Sequence, residues 1–280
     1  MDLLNIINNC SEEELKQVID NALEQIDKND GVEKTLGFAE NMTAISKMLV
    51  HKGFITSNMR IRFSNGSMFS YSMKTRDYFY EFAKYIKNNN ITTTADLVKF
   101  VENFINYYFG KPNGIDNRDN YFNNLTLDTK TDEEYFDVIN NFSIGDLKGK
   151  NLAMCTERST IAQNLLSLFG LEVYYCMGCV EHNGEQEPHC FNIARGREKY
   201  ILLDYSLPVS IYKNNVAYDY VPFQAHIELD ELEDVLENGL NKNYDGYEFI
   251  NIGDRIKKIP NDDYRIYQVG KMHFENGKKI

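Results

Sequence analysis

The sequence lacks the marks of several protein classes. It has no cluster of lysine and arginine: 30 basic side chains stand against 42 acidic ones, for a formal charge of −12. The densest basic group, Arg255, Lys257 and Lys258, reads as a solvated charged face. Phosphate binding needs clustered Lys and Arg, so no nucleic-acid partner is expected. No apolar run is long enough to span a bilayer, so no membrane partner is expected either. The stretch from Met1 to Asn9 carries Asp2 and no basic residue, and Glu12, Glu13 and Glu14 follow, unlike an export signal. The cysteines do not make an even set: there are five, in a 280-residue chain long enough to bury a full core without staples. Reduced thiols in a cytoplasmic setting are the expectation. Internal repeats are absent, and low complexity is limited to runs such as Asn88-Asn89-Asn90. Nor is this a disordered chain, because 19 Tyr and 17 Phe supply large core side chains.

What is present reads as helices first and strands later. Ser11 with Glu14 forms a capping-box pattern. It opens an amphipathic run through Leu15, Val18, Ile19, Leu23 and Ile26, ended by Asn29-Asp30-Gly31. A second helix is expected from about Leu36 to His51, with Gly53 beyond its end. Phe54 to Ser72 predicts a hairpin around Asn65-Gly66. Helices follow at Thr75 to Lys87 and Thr94 to Tyr108, the latter stopped by Gly110 and Pro112. Residues 110 to 131 form a polar loop rich in Asn and Asp, and Thr131 starts a short helix toward Ile139. Cys155 to Phe169 is a buried helix with Gly170 as its cap. Strands are expected at Leu171 to Val180, His189 to Ala194 and Tyr200 to Tyr205, with a polar turn over Glu181 to Pro188 and a tight turn at Gly196. Further strands fall at Val216 to Val221, Tyr247 to Ile252 and Tyr264 to Val269, with an acidic helix over Leu229 to Glu237.

The chemistry lies in one ordered constellation. Cys155 stands at a helix start, where partial positive charge and free N–H groups favour thiolate over thiol. The same N–H groups can stabilise an oxyanion formed when that thiolate attacks a carbonyl. Such a thiolate needs a base, and the base needs an orienting acceptor. His189 and Asp204 fit these roles on neighbouring strands joined through Ala194-Arg195-Gly196-Arg197. Asp204 ends the apolar run Ile201-Leu202-Leu203, where a carboxylate is costly unless paired. Its competing role is to cap a turn before Pro208. Glu157 is expected to serve structure, at the helix end or against Arg158 or Arg195.

These residues resemble the transglutaminase-like superfamily of cysteine enzymes, whose core is shared with peptide:N-glycanases and a set of bacterial proteases. Cys155-Thr156-Glu157-Arg158-Ser159 looks like its nucleophile motif. Leu168-Phe169-Gly170-Leu171-Glu172-Val173 resembles the end of its helix, the glycine and the next strand. His189-Cys190-Phe191 and Leu202-Leu203-Asp204-Tyr205-Ser206 resemble the segments holding its histidine and aspartate. The resemblance implies an α+β, papain-like core: a nucleophile helix packed on an antiparallel sheet, with N-terminal helices and a hairpin around it. It also implies Cys155 as nucleophile, His189 as base and Asp204 as orienting acid. The expected organisation is an N-terminal helical region with the hairpin over 1–92, the core over 93–225, and a C-terminal helix and strands over 226–280. Ala153-Met154 stand where the family often has glycine, the aromatic after its cysteine is missing, and the chain has no Trp. These departures weigh against protein crosslinking more than against a cysteine nucleophile.

The expected activity is hydrolysis of an amide or ester through a thioester, as a protease or amidase. Acyl transfer is the variant in which an amine replaces water. The substrate class is a peptide, a protein or a small amide, and no metal or organic cofactor is required. The acidic balance favours a basic protein substrate over an acidic one. The alternative is a binding module that keeps the fold without turnover. Cys176-Met177-Gly178-Cys179 is a CxxC, but in a strand its two sulfurs face opposite ways, which disfavours a shared metal or a redox pair. His182 is expected as a loop histidine, and His51, His226 and His273 have no assigned partner.

Overall fold

The computed structural model describes residues 3–27, 36–37, 50–55, 59–62, 68–71, 77–110, 117–118, 120–121, 124–125, 129–131, 133–134, 138, 142–182, 185–196, 198–213, 216–243, 249–251, 254–256, 264–269, 274–275 and 278–279. Its helices are α1 (Leu3–Asn9), α2 (Glu12–Asp27), α3 (Asp77–Asn88), α4 (Thr94–Phe109), α5 (Cys155–Leu168) and α6 (Leu232–Asn238). Its main strands are β1 (Leu36–Gly37), β2 (Val50–Lys52), β3 (Met59–Arg62), β4 (Met68–Tyr71), β5 (Val173–His182), β6 (Glu185–Arg195), β7 (Tyr200–Lys213), β8 (Val216–Ile227), β9 (Leu240–Asn243), β10 (Phe249–Asn251), β11 (Asp254–Ile256) and β12 (Tyr264–Val269). The class is α+β, mixed helices with an antiparallel sheet. Among the described residues no helix is long and apolar enough to cross a membrane.

The chain divides into two compact units. The first comprises residues 1–42, 54–93 and 104–154. Its α2 begins at the capping box read from the sequence. Ser11 donates its N–H to Glu14 (2.8 Å), and the Glu14 N–H is donated to Ser11 Oγ (3.2 Å). The amphipathic α3 buries Tyr78, Phe79, Phe82, Ala83 and Ile86. The Phe82 ring lies 4.8 Å from that of Phe104, and Phe104 lies 5.6 Å from Tyr108. Gly110 follows α4 at φ +76°, a left-handed conformation that favours glycine, and a Cβ there would meet the Asn151 side chain. The hairpin of β3 and β4 forms as expected, with Met59 opposite Tyr71 and Arg62 opposite Met68. Its Asn65-Gly66 turn lies outside the described residues.

The second unit comprises residues 43–53, 94–103 and 155–280. Its sheet runs β8-β7-β6-β5-β12-β9, with β2 also paired to β5. The register sets Gly178 opposite His189, Val180 opposite Tyr267, and Leu203 opposite Asn192. Paired residues share a face, and alternate residues along a strand share it too. One face therefore carries Cys176, Val180, Phe191, Ile193, Tyr200, Leu202, Ala225, Ile227, Tyr267 and Val269, packed with Val235 of α6 into a single apolar core. The other face carries Tyr175, Cys190 and Asn192 and meets α5, which hydrogen bonds to it through Ser159 and Gln163.

The sheet is longer and more closed than the sequence suggests. The polar turn expected over Glu181 to Pro188 shrinks, because β5 and β6 pair through to His182 opposite Glu185. Strand hydrogen bonding outweighs the polar composition there. Where a helix was expected from Leu36 to His51, the described ends are strands: β1 pairs with β3, and β2 pairs with β5. Sheet edges supply backbone partners that a local helical period does not reveal. Residues 38–49 lie outside the described residues.

Candidate active site

Cys155 is the first residue of α5, as the sequence reading expects. Twelve of the fourteen residues of that helix are buried, among them Glu157, Arg158, Ser159, Thr160, Gln163 and Asn164. Buried polar groups must find partners, and several here bond to the sheet or to chain beside it. Ser159 Oγ donates to the Cys190 carbonyl (3.0 Å). Gln163 Nε2 donates to the carbonyls of Val173 and Gly53 (2.9 Å each), while its Oε1 accepts from Asn192 Nδ2 (3.1 Å). Arg158 Nη1 reaches the Tyr205 carbonyl at 3.4 Å. These bonds fix the helix along β6 and so fix where its first residue stands. Cys155 itself is half-buried, whereas Cys176, Cys179 and Cys190 are buried.

His189 on β6 and Asp204 on β7 lie on the same face of the sheet. Their side chains meet, with His189 Nε2 3.0 Å from Asp204 Oδ2. Both are deeply buried, at 2 % and 0 % exposure. Asp204 also takes the turn role weighed for it, since Oδ1 accepts the Ser206 N–H at 2.9 Å. The two contacts coexist because a carboxylate has two oxygens.

Two further residues surround this carboxylate, and the sequence reading missed both. Tyr267 Oη donates to Asp204 Oδ2 at 2.6 Å, and Arg265 Nη1 stands 3.8 Å from the same oxygen, fully buried. Both come from β12, three places from β7 in the sheet order. A flat sheet would hold those strands about 14 Å apart, so the sheet curls to bring them together. Gly178 belongs to this closure: it pairs with both His189 and Val269, and a Cβ there would collide with the Gln268 carbonyl. One signal was available in the sequence. Arg265 occupies the same parity as Tyr267 and Val269, so a charge sits on the apolar face of a strand.

The electrostatics follow from this packing. Burial drives Asp204 toward its neutral form, but His189, then Arg265 and Tyr267, stabilise the carboxylate and hold it down to about 2. Burial opposes a charged His189; the Asp204 carboxylate and the Cys155 sulfur outweigh it and raise the imidazole to about 10. Cys155 is held well below the ordinary thiol range. The largest cause is the Cys190 thiol hydrogen-bonding to its thiolate; burial opposes this, and His189 adds a hydrogen bond and a charge. Burial pushes the Cys190 and Cys176 thiols up. Thr156 Oγ1 lies 3.8 Å from the sulfurs of both Cys155 and Cys190. Low and high thiol pKa values are thus set side by side, with the low one on the more exposed residue.

The other sequence candidates stay apart from this group. Cys176 belongs to the apolar core, while Cys179, at odd spacing on the same strand, accepts from Gln186 Nε2 at 3.2 Å. His182 lies at the end of β5 opposite Glu185, not in a loop. Among the described residues no three His, Cys, Asp or Glu side chains converge as metal ligands. Comparison with family models, curated proteins and solved structures gives no match to this chain.

Proposed function

We propose that this protein is a cysteine hydrolase of the transglutaminase-like type, acting on an amide or ester bond through a thioester. The observation that carries the reading is the buried His189–Asp204 contact of 3.0 Å beside a cysteine whose pKa is lowered. A cysteine of lowered pKa with a hydrogen-bonded base and orienting acid is the set of groups that covalent acyl chemistry needs. The helix-on-antiparallel-sheet architecture is in keeping with a papain-like core.

In this reading Cys155 is a thiolate paired with the His189 imidazolium. The thiolate attacks the carbonyl carbon and forms a C–S bond, while the carbonyl electrons move onto oxygen. The N–H groups at the start of α5 are the candidate donors to that oxyanion. His189 then gives its proton to the leaving amine or alcohol, the C–N or C–O bond breaks, and a Cys155 thioester remains. Neutral His189 next takes a proton from water, and the resulting attack releases the acid and restores the ion pair. Asp204 stays ionised throughout and holds one imidazole tautomer. An amine in place of water would give acyl transfer. No sequence feature marks an amine-binding site, which favours hydrolysis.

The test is the pH profile of Cys155 alkylation by iodoacetamide, read on the peptide that contains Cys155. An ion pair predicts rapid alkylation already at about pH 6, with little further gain toward pH 8. A rate that only climbs along an ordinary thiol titration near about 8.5 would end the enzyme reading. Peptide-library turnover lost in Cys155→Ala would then give the substrate class.

A further inference from the structure

The Asp204 carboxylate is gripped from the C-terminal end of the chain, 63 residues beyond it, by a hydroxyl that no sequence motif marks. The final torsion of an aspartate is soft, so its carboxylate plane is set by what bonds to it. Oδ1 is held by the Ser206 N–H, and Oδ2 receives His189 and Tyr267 together. Tyr267 is itself immobile: it is 1 % exposed, and its ring meets Phe191 edge-on at 5.1 Å. Its hydroxyl remains a neutral donor, because burial and the Asp204 charge raise its pKa well above the ordinary value. Arg265, two residues away on the same strand face, keeps the carboxylate ionised and so keeps it an acceptor.

We propose that Tyr267 is a positioning residue: its hydroxyl locks the Asp204 carboxylate, which orients His189 toward Cys155, so that strand β12 is part of the working site. This inference rests on the reading of Cys155 as the nucleophile. It makes the site depend on two distant stretches of chain, 155–204 and 264–269. The Tyr267 hydroxyl acts through Asp204, and its ring lies 6.3 Å from the His189 ring.

Tyr267→Phe removes the hydroxyl and keeps the ring against Phe191, so folding should survive; circular dichroism and the melting temperature check this. The Cys155 alkylation rate at pH 6 should fall about tenfold in Y267F, as expected for loss of one hydrogen bond to a charged group. Asp204→Asn should fall further. The double variant should be no slower than D204N alone, because Y267F removes the hydroxyl that bonds Asp204 and keeps the ring, which lies 6.3 Å from that of His189. A second readout does not need a reactive sulfur: the His189 Nε2 proton, observed by NMR in ring-labelled protein, should exchange with solvent faster in Y267F. An unchanged alkylation profile with an unchanged His189 signal would overturn the proposal, as would effects of Y267F and D204N that multiply in full. If the parent protein alkylates like an ordinary thiol, the nucleophile reading fails. The His189 exchange rate then decides by itself whether Tyr267 holds the Asp204–His189 pair.

Discussion

Helices α3 and α5 are nearly equal in length, at 12 and 14 residues, and are built on opposite plans. Helix α3 buries one apolar face of Tyr78, Phe79, Phe82, Ala83 and Ile86, and leaves Lys84 and Asn88 to solvent. Its position is set by area removed from water, which is strong but unspecific in direction. Helix α5 is buried on every side, and seven of its buried residues are polar. Those side chains must be hydrogen-bonded, and Ser159 and Gln163 meet that need only in one register against β6 and its neighbours. An apolar face tolerates small shifts; a buried polar one does not. The helix that needs a defined position is the one that carries Cys155.

Substitutions can sharpen or break this contrast. The largest expected effect is at the sulfur: Cys155→Ala should reduce turnover at least about a thousandfold, with an unchanged circular dichroism spectrum. Asp204→Ala would leave His189 and Arg265 facing a buried site without their anion. The expected cost is about 3–5 kcal/mol in urea unfolding, and a loss under 1 kcal/mol would deny that the carboxylate organises the second unit. Phe82→Ala should cost a similar amount, about 3–5 kcal/mol, by opening a cavity in the aromatic core of the first unit. It should nonetheless leave the pH dependence of Cys155 alkylation where it was. A shifted profile would mean that the apolar helix, and not the polar one, sets the site.

The pH dependence of stability comes next, and its sign is fixed by the two shifts. Asp204 falls from an ordinary 3.8 to about 2, so its contribution is full above 3.8 and is lost as pH drops through about 2. His189 rises from 6.5 to about 10, so its contribution is full below 6.5 and is lost as pH climbs through about 10. In Cys155→Ala, which removes the opposing contribution of the lowered thiol, denaturant midpoints should decline below pH 3.8 and above pH 6.5, and adding Asp204→Asn should flatten the alkaline decline. The smallest effect is at the α2 cap: Ser11→Ala should cost about 1 kcal/mol by removing the acceptor for the Glu14 N–H.

Much of the site was legible because its signals are local. A cysteine preceding an apolar helix, a histidine opening a strand and an aspartate closing an apolar run can each be read within about ten residues. The register of β6 and β7 then brings His189 and Asp204 together, since a short turn through Gly196 leaves few alternatives. Tyr267 and Arg265 were not legible as partners of Asp204. Their strand was expected at the residues where it occurs, Tyr264 to Val269. Which strand it would lie beside depends on sheet order, and that is a non-local choice. The strands at the ends of the region 36–51 were missed for the same reason, because β2 gains its hydrogen bonds from β5, more than a hundred residues later.

By itself the sequence determined the helix and strand periods, the capping box at Ser11, the acidic character of the chain and the order of Cys155, His189 and Asp204. Each is written in neighbouring side chains and in the spacing of apolar residues. Only the tertiary structure decided that the sheet curls until β12 reaches the far side of Asp204, and that Cys190 stands beside Cys155. It also decided that α5 buries its polar residues as well as its apolar ones. The physical reason is that burial and long-range pairing set the charge states here. A carboxylate at about 2 and an imidazole at about 10 are consequences of which strands close around them.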